Sequence, residues 1–210
     1  MTNLALEFSS ARRSVALAHG PGPALAEAVE HTAGRGTGAF GLIGQVLAAA
    51  QLSREAVEVI AVGLGPGSYT GIRAAIAVAQ GWQLARGTKL IGISSLESLA
   101  AAAQAGKLFG RVNLVVDAQR GEFYLATWLI SESRREEISP LAIISAAELA
   151  ERQAAGEICA GPEMERVLFP TAAALAALAA ERTDFSCGSG LEPVYLRETS
   201  FVKAPTPRTV

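Results

Sequence analysis

Cysteine, histidine and aromatic residues are all scarce in this 210-residue chain, which has two cysteines, two histidines and 6% Phe, Trp and Tyr. Cys159 and Cys187 stand far apart, with no CxxC. That spacing excludes a disulfide framework and reads as two buried free thiols in a reducing compartment. His19 and His31 are not neighbours either. Transition metals favour closely spaced His or Cys with a supporting carboxylate, so no metal site is expected. Neither histidine lies near a GxSxG elbow, which argues against a Ser-His-Asp hydrolase. His19 reads as a surface-loop residue and His31 as a helix-edge one.

Positive charge is not in excess, the net charge being -2. A general nucleic-acid binder is normally basic. The pairs Arg12-Arg13 and Arg134-Arg135 read as solvated surface. Long apolar runs are missing: residues 172–180 form the longest, less than half of the ~20 needed to span a bilayer. The opening MTNLALEFSS has neither a basic stretch nor a long apolar core, so it does not read as a signal peptide. A soluble, cytoplasmic protein without a membrane segment is expected.

What is present suits a well-filled core: 50% of the residues are apolar and 18% charged. Strands are expected at 3–8, 13–18 and 25–30, a helix at 39–51, a strand at 57–63, a helix at 72–86 closed by Gly87, a strand at 89–93 and a helix at 96–104. Ser94 with Glu97 fits a capping box for the last helix. The order then restarts, with strands at 112–117, 122–130 and 136–138, a helix at 146–154, a strand at 157–160 and a helix at 171–182. The repetition predicts a duplicated α/β unit, with one subdomain over 1–106, a smaller one over 107–198 and a loose, Pro-containing tail at 199–210.

The densest motif is GLGPGSYTGIR, residues 63–73. A Walker loop would need Lys after its last glycine, and the chain has Ile72-Arg73. A dinucleotide fingerprint would need glycine where Ser68 stands. Gly65, Pro66 and Gly67 permit tight turns with positive φ. Ser68 or Thr70 can cap the helix that follows Gly71. Two readings stay open: a tight strand-to-helix turn, or an anion site at a helix N-terminus.

The stretch 63–100, beginning GLGPGSYTGIRAAIAVAQGW, resembles the signature region of the TsaB (YeaZ) family. The likeness continues at LALEFSS (4–10), VVDAQRGEFYLATW (115–128) and EPVYLRE (192–198). The resemblance implies an actin-like ATPase superfamily fold with two ribonuclease-H-like subdomains, each a mixed sheet. It implies a non-catalytic subunit of the bacterial machinery that places threonylcarbamoyl on the tRNA adenosine next to the anticodon. Its implied partners are the catalytic paralogue TsaD, the ATPase subunit TsaE and, when alone, a second copy of itself. It would reach tRNA only through the complex, and no cofactor is expected. The alternative is a divergent actin-like-fold ATPase or glycoprotease-like peptidase acting alone. An ATPase would need carboxylates for magnesium, for which Glu7, Asp117 and Glu122 are the candidates. The superfamily usually has Asp at the first strand-turn, and this chain departs from it with Glu7. Arg120 is also a long cation in a turn where a phosphate hairpin would have small residues.

The helix at 72–86 is apolar nearly all round. Gly71, Ala75, Val78 and Trp82 suit the core, whereas Arg73, Ala77, Gln80 and Leu84 form an outer stripe. On the preceding helix Gly41, Gly44 and Ala48 share a face that another helix could approach closely. These seven residues are the candidate partner interface; close packing on the chain's own sheet is the competing reading.

Overall fold

The structure, a computed structural model, describes residues 1–20, 22–32, 38–194 and 196. The tail expected at 199–210 lies outside the described residues, as do positions 33–37 of the glycine-rich stretch before the first helix. β1 (Thr2–Glu7), β2 (Arg12–His19), β3 (Ala26–His31), β4 (Val59–Gly63) and β5 (Lys89–Ile93) form one sheet in the order β3-β2-β1-β4-β5. β1, β2 and β3 pair antiparallel, and β4 and β5 run parallel to β1. β6 (Gly110–Asp117), β7 (Glu122–Ile130), β8 (Arg135–Ser145), β9 (Ile158–Gly161) and β10 (Arg166–Val167) repeat that plan in the order β8-β7-β6-β9-β10. An antiparallel meander followed by two parallel strands, present twice, makes two ribonuclease-H-like mixed sheets.

The helices are α1 (Ala39–Ala49), α2 (Tyr69–Arg86), α3 (Ser95–Ala105), α4 (Ala146–Ala154) and α5 (Ala172–Ala180). β1 is buried along its whole length, because helices cover both faces of its sheet. On one face Leu42, Ile43 and Val46 of α1 and Ile72, Ala75 and Ile76 of α2 pack on Leu4, Leu6, Ile60 and Val62. The other face is covered by α5, which comes from much later in the chain. Its Leu175, Ala176 and Ala179 meet Ala5, Ala16, Ala18 and Ala61. Small residues on both sides let helix and sheet approach closely, and alanine is also the best helix former. In return α3, which follows β5 directly, packs Leu96, Leu99 and Ala103 on Val112, Leu114 and Trp128 of the second sheet. The two sheets thus exchange a helix.

The exchange is fastened where α3 meets the start of α5. Ser98, fully buried, donates its hydroxyl to the Thr171 carbonyl at 3.0 Å and accepts the Thr171 N–H at 2.9 Å. Thr171 caps α5 by accepting the Ala174 N–H at 3.1 Å, and the Ala172 N–H donates to the Ser14 hydroxyl at 2.8 Å. Arg182 and Glu97 add an ion pair. Ser98→Ala leaves two backbone groups of Thr171 without this partner and is expected to lower unfolding free energy by about 1–3 kcal/mol. Urea unfolding measures it, and a midpoint equal to wild type would show the clasp to be idle.

Several expectations are corrected. α2 starts at Tyr69 instead of residue 72, because Ser68 takes the cap position. Ser94 accepts the Leu96 N–H at 3.2 Å, and Glu97 turns away to Arg182, so no capping box forms. β8 runs over eleven residues where three were expected. It is an edge strand with Pro140 and register breaks against β7 at Leu125/Thr127 and Thr127/Trp128, features that discourage pairing with a further strand. Cys187 is exposed and only Cys159 is buried. His31 ends an edge strand instead of a helix and meets Phe169 edge-on, with ring centroids 6.4 Å apart. No helix among the described residues is long and apolar enough to cross a membrane.

Candidate functional site

The glycine loop leaves β4 at Gly63 and enters α2 at Tyr69. Gly65 and Gly67 have φ of 91° and 143°, and the Gly65–Pro66 bond is cis. Ser68 accepts the Gly71 N–H at 3.3 Å and forms the cap; Thr70 is exposed in the first turn. The loop is pressed on the chain that follows β1. A Cβ at Gly67 would lie 2.2 Å from the Ser9 carbonyl oxygen, and one at Gly71 1.9 Å from that of Phe8. Three of its donors point inward. The Leu64 N–H binds the Ile93 carbonyl at 2.9 Å, the Ser68 N–H binds that of Ser9 at 2.6 Å, and the Gly65 N–H binds the Ser95 hydroxyl at 3.1 Å.

Below the loop lies Glu7. Its side chain has no solvent exposure. The Ser9 N–H donates to Oε1 at 2.9 Å, and the Ser95 hydroxyl donates to Oε2 at 3.0 Å. Burial raises its pKa above the ordinary range, against the opposing pull of those hydrogen bonds. The expectation that Glu7 could join Asp117 and Glu122 around magnesium is therefore corrected: its carboxyl is turned into the interior. Among the described residues no three His, Cys, Asp or Glu side chains are gathered as metal ligands.

Between the two sheets runs a cleft of about 680 Å³. One wall comes from Ser9, Ser10, Ser68, Tyr69 and Arg73, the other from Asp117, Gln119, Arg120 and Glu163. The Arg73 guanidinium sits 4.3 Å over the Tyr69 ring. Asp117 accepts the Gln119 N–H at 2.7 Å. The Glu122 N–H donates to the Gln119 carbonyl at 3.2 Å around Arg120 and Gly121, whose φ are 62° and 75°, the pattern of a mirror-image turn that usually takes Asn-Gly. Burial pushes the Glu163 carboxyl up, and the nearby Asp117 charge adds to that.

A second surface lies on the outside of α1 and α2. Gly41, Gly44 and Ala48 are exposed on α1, and Arg73, Ala77, Gln80 and Leu84 on α2. Leu84 is 90% exposed and Phe40 69%. A groove of about 450 Å³ runs between the helices over Phe40, Ile43, Ala77, Val78, Gly81 and Trp82, with the Arg86–Glu55 pair at its rim. Trp82, assigned to the core from sequence, is half-buried and lines this groove. Gln80 leans aside: its amide donates to the Gly188 carbonyl at 2.8 Å, while Gln83 accepts the Gly188 N–H at 2.6 Å. Phe40 and Gly81 escaped the sequence reading. The signal for Phe40 was a large aromatic one position from Gly41, outside the helix's apolar stripe.

Two ribonuclease-H-like sheets facing each other across a cleft define an actin-like α/β protein. The family model of TsaD, tRNA N6-adenosine threonylcarbamoyltransferase, matches residues 39–203. The chain is 34% identical to the tRNA threonylcarbamoyladenosine biosynthesis protein TsaB of Escherichia coli over 92 residues, covering 44% of this chain and 40% of that one. Its counterpart in Haemophilus influenzae is 32% identical over 127 residues, covering 60% and 53%. The chain thus matches about half or less of the length of these relatives. A crystal structure from Pseudomonas aeruginosa, of an uncharacterized protein with similarity to peptidase YeaZ, superposes with a TM-score of 0.79 at 29% identity, over 93% of this chain and 99% of that one. The chain belongs to this family, and within it to the TsaB (YeaZ) group.

Proposed function

We propose that the chain is a non-catalytic scaffold subunit of the assembly that transfers threonylcarbamoyl to the tRNA adenosine next to the anticodon. It pairs through the outer face of α1 and α2 with the catalytic paralogue TsaD, or with a second copy of itself when alone. TsaE is a further member of the assembly, and tRNA is reached only through the complex. The observation that carries this reading is the α1–α2 face. Leu84 and Phe40 stand out into solvent beside an apolar groove. A Cβ at Gly41, Gly44 or Gly81 would meet nothing within 4 Å. Each glycine costs about 0.5–1 kcal/mol relative to alanine inside a helix, and the chain's own packing does not require it. An approaching helix would.

The polar cleft favours a second reading, an ATPase or glycoprotease-like peptidase acting alone. Against it stand the inward-facing loop donors and the buried Glu7. The test is size-exclusion chromatography of the chain with the TsaD homologue of its own organism, beside an assay of threonylcarbamoyl transfer to tRNA. Co-elution is expected, with transfer needing both proteins. Multiple-turnover hydrolysis of ATP or peptide by the pure chain would sink the scaffold reading.

A further inference from the structure

We propose that Glu7 and Ser95 form a proton-dependent latch that seats the glycine loop, and with it the first turn of α2, on the end of β1. Glu7 is the last residue of β1 and shares a sheet face with Ala5, which meets α5. Its carboxyl occupies the space that Gly63 leaves open: a Cβ there would lie 2.2 Å from Oε2. The extra methylene of glutamate over aspartate carries the carboxyl into this space, away from the cleft.

Ser95 connects the carboxyl to the loop. Its hydroxyl donates to Glu7 at 3.0 Å and accepts the Gly65 N–H at 3.1 Å. Its own N–H donates to the Gly65 carbonyl at 2.8 Å. One serine thus grips both backbone groups of Gly65 and ties them, through Glu7, to β1. Gly65 is three residues before the cap of α2, and the Ser68 N–H is held by Ser9, whose own N–H binds Glu7.

Among the described residues no counter-ion faces this carboxyl. β2 presents Ser14 opposite Glu7, and Arg13, the next residue, projects to the other face of the sheet. Arg12 and His31 lie beyond, at the end of the β2–β3 pair. The loop from Gly63 to Ser68 has no titratable side chain, and neither do the first residues of α5. Glu97 of α3 is paired with Arg182, and Arg73 lies over Tyr69 at the cleft. Glu27 of β3 holds the Ala173 N–H of α5 at 3.4 Å, and among the described residues no charged group shifts Glu7; burial dominates, with hydrogen bonds from Ser9 and Ser95 opposing it. The closed latch therefore holds its proton more tightly than an opened one; in that form the 3.0 Å contact runs from the carboxyl O–H to the Ser95 hydroxyl, while Oε1 still accepts the Ser9 N–H. Opening becomes easier as pH rises above 4.5, the ordinary glutamate value, and levels off once pH passes the raised pKa of the closed form. That loosening the loop also loosens partner binding rests on the reading of α2 as the partner face; the latch itself does not.

The test is amide hydrogen exchange of the full chain between pH 5 and pH 9, corrected for intrinsic rates and read on peptides covering residues 63–72. In wild type, protection is expected to fall by up to about tenfold per pH unit and then to reach a plateau. Glu7→Gln, which keeps the shape without the charge, should stay protected across the range. Ser95→Ala, which cuts the link to Gly65, should be less protected and flat. A flat wild-type profile, or a Glu7→Gln profile that follows wild type, overturns the latch. If Glu7→Gln does not fold, Ser95→Ala decides: a pH profile as steep as wild type's overturns the proposal. Binding to the TsaD homologue is measured separately, so its failure would count against the partner face and not against the latch.

Discussion

Arginine at position 77 is expected to separate the chain from its partner and leave the monomer folded. Ala77 is exposed in the middle of α2 and lines the groove with Val78 and Gly81. In the free chain a new arginine there points to water, and arginine is close to alanine as a helix former. In the complex the guanidinium would be desolvated among small apolar groups, and Glu55, the carboxylate at the groove's rim, is already paired with Arg86. An unpaired buried charge costs about 3–5 kcal/mol, a loss of roughly two to three and a half orders of magnitude in affinity. Sedimentation velocity with and without the TsaD homologue, beside a thermal melt, reads both effects. Association unchanged from wild type would place the interface elsewhere. An unfolded mutant would mean that position 77 is buried.

Alanine at Gly71 is expected to destabilise the fold by more than about 2 kcal/mol, whereas alanine at Gly81, ten residues along the same helix, is expected to stabilise it by about 0.5–1 kcal/mol. At Gly71 the new Cβ would lie 1.9 Å from the carbonyl oxygen of Phe8. Phe8 is fully buried and cannot yield, so the first turn of α2 must lift. That movement would break the Ser68 cap and unseat Ile72, which is 1% exposed. At Gly81 a Cβ meets nothing within 4 Å, so only the gain in helix propensity remains. Denaturant titration of both variants gives the two signs. A mild Gly71→Ala would mean that the loop does not rest on the end of β1. A destabilising Gly81→Ala would mean that the groove is tighter than it is here.

Helix ends and the repeated element order were legible because they depend on neighbours in sequence. The helix expected at 146–154 is α4, where the structure adds a capping box of Ser145 and Glu148, and Gly87, with φ of 70°, closes α2 as expected. The same local logic misplaced Glu97, because an ion pair with Arg182, far along the chain, outcompeted the box. β8 was cut short because charges and Pro140 hide a strand whose pairing is set by β7. The outer stripe of α2 could be read from helical phase alone, and those residues are exposed. The contacts of Gly63, Gly67 and Gly71 could not, since their neighbours Glu7, Ser9 and Phe8 lie on the far side of three elements. Glu7 looked like a cleft ligand by position. Only the space at Gly63 and the hydroxyl of Ser95 show where its carboxyl goes.

The exchanged helix also sets a timetable for the chain as it leaves the ribosome. All five strands of the first sheet are complete by Ile93, yet the face carrying Ala5, Ala16, Ala61 and Ile91 has no cover until α5 at Ala172–Ala180 has been made. At a synthesis rate of roughly 5–20 residues per second, that interval is on the order of ten seconds. For the first part of it α3 waits as well, because the surface it covers belongs to strands that begin at Gly110. The nascent amino-terminal portion therefore carries an apolar sheet face that a chaperone can hold, and it matures only after the last strand of the second sheet has been made.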